Sequence, residues 1–213
     1  VETVVGDFGG TAMGRPYGGG AFDVAGGRVA FTTNRADRPA DLAVVSRGAA
    51  PRTLTALSDN LLAARHLGKV EELTWKSSFD QREVQGWIVY PPDFDPEQKY
   101  PLLLEIHGGP YANYGPRFAP EIQLYAARGY VVLYTNPRGS TSYGAEFANL
   151  IQHNYPGQDY DDLMSGVDAV LARMDLTEVV LDGVDLGRVV NGALDQVDLT
   201  ELVRSRVDLA GIA

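Results

Sequence analysis

The residues best placed to do chemistry are His107-Gly108-Gly109-Pro110. Gly108 and Gly109 have no Cβ, so the backbone can turn its N–H groups toward a ligand oxygen and hold an oxyanion. From the residues alone, the His107 ring packs under the loop and hydrogen-bonds backbone. Nucleophiles are scarcer. A serine on a tight strand-to-helix turn carries the pattern Gly-x-Ser-x-Gly, and the chain contains no such run. Ser142, in Ser140-Thr141-Ser142-Tyr143-Gly144, has Ser where the first Gly must stand, and Ser165 also lacks it. The histidines are His66, His107 and His153, and none follows His153 to supply a downstream base. No catalytic residue is therefore assigned. Asp159, Asp161 and Asp162 look like a metal cluster, but they open a helix, where acids favour the dipole, and a solvated helix N-terminus is the simpler reading. No metal or cofactor is expected. Asn136 and Arg138 could anchor the glycine loop, and Tyr111, Tyr114 and Tyr143 could line its cleft.

The elements that must position this loop are legible from patterning. Leu102 to Ile106 and Tyr130 to Tyr134 are short apolar runs bounded by Gly and Pro, as buried strands are. Helical spacing from about Ala119 to Arg128 lies between them, which predicts a strand, a crossover helix and a parallel strand. Val70 to Trp75 and Val84 to Tyr90 read as a hairpin. Ser142 to His153 and Tyr160 to Ala172 carry helical spacing, the second with Leu163, Val167, Val170 and Leu171 as its apolar stripe. Upstream, Ala21 to Asp23, Arg28 to Thr33, Asp41 to Ser46 and Arg52 to Leu57 read as strands of one antiparallel blade. Gly6 to Gly20 reads as a mobile arm.

Several stretches carry a resemblance. They are Lys76-Ser-Ser-Phe-Asp80, Gln85-Gly-Trp-Ile-Val-Tyr-Pro-Pro-Asp93, Tyr100-Pro-Leu-Leu-Leu-Glu-Ile-His-Gly-Gly-Pro110, Asn136-Pro-Arg-Gly-Ser-Thr-Ser-Tyr-Gly144 and Asp159-Tyr-Asp-Asp-Leu-Met-Ser-Gly-Val-Asp168. From about Thr53 to about Arg173 the chain resembles serine peptidases of the prolyl oligopeptidase family, in the acylaminoacyl-peptidase/dipeptidyl-peptidase branch. The resemblance implies an α/β-hydrolase domain after a β-propeller, a peptide substrate, and His107, Gly108 and Gly109 as an oxyanion-hole remnant. It stops after Arg173, before the family's nucleophile, acid and histidine. The expected fold is α/β: a truncated α/β-hydrolase sheet over 58–173, an antiparallel propeller-blade remnant over 1–57, and short helices over 174–213. The blade could instead be an antiparallel sheet packed on its neighbour. By resemblance the activity is a serine-type peptidase or aminopeptidase; this chain, without the triad, is expected to be inactive alone.

The tail changes character. Asp175-Leu-Thr-Glu178 recurs as Asp198-Leu-Thr-Glu201, each a capping box opening an apolar stripe at helical spacing. Eight acids against three arginines give residues 174–213 a net charge of -5, half of the chain's -10. Either an unrelated tail has been joined to a peptidase frame, or the tail is an interaction module that could pair copies of the chain. A chain of 213 residues at net -10 makes nucleic acid and anionic membranes poor partners. No apolar run reaches the roughly 18 residues of a membrane span. No leader-like segment follows Val1 and there is no cysteine, so cytoplasmic residence is expected.

Overall fold

The structure, a computed structural model, describes residues 3–10 and 14–174. The expectations for the acidic tail lie outside those residues.

Four strands form the first sheet in the order β1-β2-β3-β4, all antiparallel: β1 (Phe22–Ala25), β2 (Arg28–Arg35), β3 (Arg38–Ser46) and β4 (Arg52–Thr53). Gly26 and Gly27 close the first hairpin with φ of 55° and 72°, the left-handed pair that a two-residue turn requires. Alternation puts Phe31, Ala43 and Val45 on one face, where Val5, Phe8 and Val29 cover them. The edge strand is not covered: Phe22 and Val24 are 67% and 59% exposed. A four-residue helix, α1 (Asp59–Leu62), follows.

The second sheet holds β5 (Val70–Lys76), β6 (Glu83–Val89), β7 (Leu102–Glu105) and β8 (Val131–Asn136), in the order β5-β6-β8-β7. β5 and β6 make the expected hairpin, β8 runs antiparallel to β6, and β7 lies parallel to β8. The crossover between β7 and β8 is α2 (Pro120–Ala127), which begins at a proline whose missing N–H costs nothing there. Every residue of β8 is buried, as expected of a strand with both faces covered. On one face Trp87, Val89, Val132 and Tyr134 pack under Ile122 and Ala126 of α2. On the other, Leu73, Trp75, Val84, Ile88, Val131 and Leu133 pack under Val167 and Val170 of α4 (Asp159–Met174).

Two expectations fail locally. The helical spacing from Ser142 to His153 yields only α3 (Ala145–Asn149), because Ser142 and Gly144 take φ of 77° and 92°, outside the helical region. The described part of the glycine-rich arm is not loose. Phe8 bridges Thr33, Tyr17 bridges Tyr114, and Arg15 pairs with Glu105 at 2.9 Å. The arm is thereby stitched to both sheets. Asn34 and Arg117 strengthen the same joint. The Asn34 side chain accepts the Phe118 N–H at 3.0 Å, and Arg117 donates to the Phe8 carbonyl at 2.6 Å and the Asn34 carbonyl at 3.2 Å.

Candidate functional site

In parallel sheets ligands sit outside the carboxyl ends of the strands. There β7 runs into Ile106–Pro110 and β8 into Pro137–Arg138, and a cleft of about 180 Å³ opens between them. Tyr155, Asp159 and Leu163 contribute to its wall. Gly108 and Gly109 line the cleft together. An added Cβ on Gly108 would meet nothing within 4 Å, and Gly109 sits at φ 125°, where other side chains are strained.

His107 stands behind these glycines, 7% exposed. Its Nε2 lies 3.0 Å from Ser140 Oγ, and that hydroxyl lies 2.6 Å from the Pro137 carbonyl oxygen. A hydroxyl has one proton, and at 2.6 Å it goes to the Pro137 carbonyl, so the Ser140 hydroxyl accepts from Nε2; the Gly108 carbonyl, 3.3 Å from Nδ1, is the longer, competing acceptor for the ring hydrogen. His107 therefore donates to Ser140 and cannot act as its base in this arrangement. Burial pushes the imidazolium pKa down, with only partial offset from the Gly108 carbonyl and Asn136, so the ring is neutral. Its ring meets Tyr114 edge-on at 5.0 Å. The ring is packed and hydrogen-bonded, and it adjoins the glycine loop.

Asn136 anchors that loop. Its Oδ1 accepts the Tyr114 N–H at 2.8 Å, and its Nδ2 donates to the Tyr114 carbonyl at 2.9 Å and the Tyr143 hydroxyl at 2.8 Å. The Tyr114 hydroxyl donates to Glu105 at 3.0 Å, and burial followed by the Glu105 charge pushes its pKa up. Tyr114 is therefore packing, while Tyr111 is exposed on the loop.

Arg138 does something the spacing did not suggest. It grips Asp162 bidentately, Nε to Oδ2 at 2.9 Å and Nη2 to Oδ1 at 2.7 Å, and reaches Asp80 at 3.1 Å and Ser77 at 3.1 Å. It thus ties the β5–β6 turn and α4 to the end of β8. The expected solvated helix N-terminus is wrong for two of its three acids. Asp162 is fully buried against Arg138, and buried Asp159 accepts the Gly157 N–H at 2.6 Å. The 24-residue separation of Arg138 and Asp162 left no local signal for the pair. Among the described residues no cluster of His, Cys, Asp or Glu is arranged to hold a metal. Ser165 is occupied, donating to the Asp161 carbonyl at 2.6 Å and accepting from the Ser78 N–H at 3.0 Å. Ser142, His66 and His153 are exposed, and none of them lines the cleft. Ser140 and Tyr17, which back His107, were not singled out from sequence, since no periodicity links positions so far apart.

Residues 116–183 match the prolyl oligopeptidase family, running past Arg173 into the acidic tail. An uncharacterized peptidase of Bacillus subtilis, YuxL, is 39% identical over 142 residues, covering 67% of this chain and 22% of that protein. Dipeptidyl-peptidase 5 of Aspergillus fumigatus is 35% identical over 113 residues, covering 51% of this chain and 15% of that one. Among solved structures, Pyrococcus horikoshii acylaminoacyl peptidase superposes with a TM-score of 0.66 at 29% identity, over 73% of this chain and 24% of its own. The chain thus spans less than a quarter of the length of these relatives. The two sheets, the cleft at the strand ends and these similarities converge: the chain belongs to the prolyl oligopeptidase family.

Proposed function

We propose that residues 58–173 form the carbonyl-binding side of a serine-peptidase site for short peptides, and that the 213-residue chain by itself does not hydrolyse them. Gly108 and Gly109 serve as part of an oxyanion hole, with His107 behind them. The observation that carries this is the His107–Ser140 hydrogen bond at 3.0 Å, in which the ring is the donor and the serine proton is committed to Pro137. A general base must lie within about 2.6–3.2 Å of the proton it takes. Of the three histidines only His107 lines the cleft, and its Nε2 has no free lone pair. Loss of a triad member lowers the rate by about four orders of magnitude or more. The peptidase names of the relatives support the substrate class.

The test is incubation of the purified chain with a fluorophosphonate and with a dipeptidyl anilide. Neither serine labelling nor anilide release above background is expected; labelling of any serine overturns the reading. Cytoplasmic residence fits the absence of cysteine, and among the described residues no helix is long and apolar enough to cross a membrane. A second, non-catalytic role is favoured by the two capping boxes of the tail, which could pair copies of the chain. A mass by light scattering that rises with concentration, and no longer does so when 174–213 are deleted, supports that role.

A further inference from the structure

We propose that residues 15–18 of the glycine-rich arm belong to the carbonyl-binding site, with Arg15 a positioning residue that keeps the 107–115 loop in shape through Glu105 and Tyr114. This rests on the reading that places the carbonyl-binding glycines in the cleft.

The loop that carries Gly108 and Gly109 leaves β7 after Glu105, and the next helix begins only at Pro120. Its internal turns are short: the Ala112 N–H reaches the Pro110 carbonyl at 2.8 Å, and the Arg117 N–H reaches the Gly115 carbonyl at 2.7 Å. Turns of three residues bend a chain but do not fix where a long loop lies. The anchors come from two flanks. On one, Asn136 Oδ1 accepts the Tyr114 N–H at 2.8 Å, and the Ala112 carbonyl accepts the Thr141 N–H at 2.9 Å. On the other stands the arm. The Gly18 N–H donates to the Asn113 carbonyl at 2.9 Å, and the Gly115 N–H donates to the Pro16 carbonyl at 2.9 Å. Tyr17 and Tyr114 thereby face each other as the close pair of an antiparallel ladder. The approach is tight. A Cβ added to Gly18 would lie 2.7 Å from Asn113 Nδ2, in a side chain whose oxygen accepts the Thr141 hydroxyl at 3.1 Å.

Charge gives the arm its leverage. Glu105 closes β7, and its side chain is only 12% exposed. Its Oε1 accepts the Tyr114 hydroxyl at 3.0 Å and meets Arg15 Nη1 at 2.9 Å. Arg15 supplies the positive charge, and its Nε also lies 3.5 Å from Glu121 Oε2 on α2. With the arm undocked, Glu105 keeps a hydroxyl but loses its counter-charge, which a nearly buried carboxylate does not tolerate. Glu105 then turns toward water and releases the Tyr114 hydroxyl. Tyr114 is the piece that transmits this. It is 1% exposed, and its ring stands edge-on to His107 at 5.0 Å. Tyr17 backs both rings, 5.0 Å from Tyr114 and 6.5 Å from His107. A tilt of Tyr114 therefore reaches His107 and, next in the chain, Gly108. Arg15 does not line the cleft, so it acts through Glu105 and not on a ligand. Residues 58–173 supply the glycines, and a stretch some ninety residues upstream holds them in place.

Hydrogen exchange and amide resonances of the full 213-residue chain test this. In the unsubstituted protein the Gly18 and Gly115 N–H groups join arm to loop, and those of Tyr114 and Thr141 join loop to the β8 side. All four should exchange at one rate, because arm and loop open as a unit. Gly18 and Gly115 exchanging about tenfold or more faster than Tyr114 and Thr141 would mean that the arm lifts while the loop stays, and overturns the proposal. Arg15→Ala should shift the Gly108 and Gly109 amides and the His107 ring nitrogens, leave Gly86 unmoved, and speed Tyr114 and Thr141 exchange by about tenfold. Arg15→Lys keeps the charge and should restore these signals. Adding Glu105→Gln to Arg15→Ala removes the stranded charge and should restore them in part. An Arg15→Ala chain that melts earlier, yet below its midpoint keeps the Gly108, Gly109 and His107 signals of the unsubstituted protein, gives Arg15 a stabilising role only and sinks the idea. Fluorophosphonate labelling of a serine would defeat the proposed function without touching the arm, so the two failures are distinguishable.

Discussion

At the scale of single residues, two groups, the buried His107 ring and the exposed Asp80 carboxyl, set how the molecule responds to acid. His107 has a folded pKa below its ordinary value of 6.5 because burial disfavours the charged ring. The unfolded chain therefore binds this proton first, and stability declines as pH falls from about 6.5 toward the lowered value. His107→Asn should flatten that part of a urea-midpoint profile between pH 7 and pH 5. A second decline follows at lower pH. Burial opposes the Asp80 charge, but the Arg82 N–H and Arg138 outweigh it and hold the carboxyl below its ordinary 3.8. Stability from Asp80 is present above that ordinary value and is lost as pH drops through the depressed one. Replacing Arg138 by Met leaves Asp162 buried without a counter-charge, and should lower unfolding free energy by about 3–5 kcal/mol in urea titrations at pH 7. None of this was legible in the sequence. Asp159, Asp161 and Asp162 looked like solvent-facing acids because helix starts favour them, and only the fold shows that Asp162 is turned inward to Arg138.

The secondary elements were read far better, because their signal is local. The β5–β6 hairpin, the β7–α2–β8 unit and α4 all follow from period-2 or period-3.6 patterning bounded by Gly and Pro. The order β5-β6-β8-β7 was not legible, since nothing within β8 announces that it inserts between β6 and β7. α3 fell short for a reason that patterning cannot see, the left-handed backbone at Ser142 and Gly144. The close seating of α4 is also tertiary. A Cβ built on Gly166 would lie 2.6 Å from Cζ2 of Trp75, a rigid ring that also donates its Nε1 hydrogen to the Asp162 carbonyl at 2.8 Å. Gly166→Ala must therefore push α4 off the sheet, and despite its better helix propensity should destabilise by about 1–3 kcal/mol in a denaturant titration. On the other face Gln123 of α2 closes two bonds to Gly68, accepting its N–H at 2.7 Å and donating to its carbonyl at 3.1 Å. Gln123→Leu leaves both backbone groups without those partners, a loss of about 1–3 kcal/mol by the same measurement.

Among the described residues the two sheets are joined by polar contacts rather than by one apolar core. Phe31, Ala43 and Val45 form their own cluster, separate from those of the second sheet. Asn34→Ala would strip the partner from the buried Phe118 N–H, and should lower the thermal midpoint while loosening the first sheet first, seen as earlier proteolysis within 1–57 than within 58–173. The burial of Trp75 beneath α4 has a practical outcome. The chain has two tryptophans, and the other, Trp87, is stacked on Tyr134 on the α2 side. Each covering helix therefore guards its own fluorophore. In Trp87→Phe the emission wavelength follows the seating of α4 alone, and in Trp75→Phe it follows the α2 face, so one spectrometer can tell which half of the molecule lets water in first.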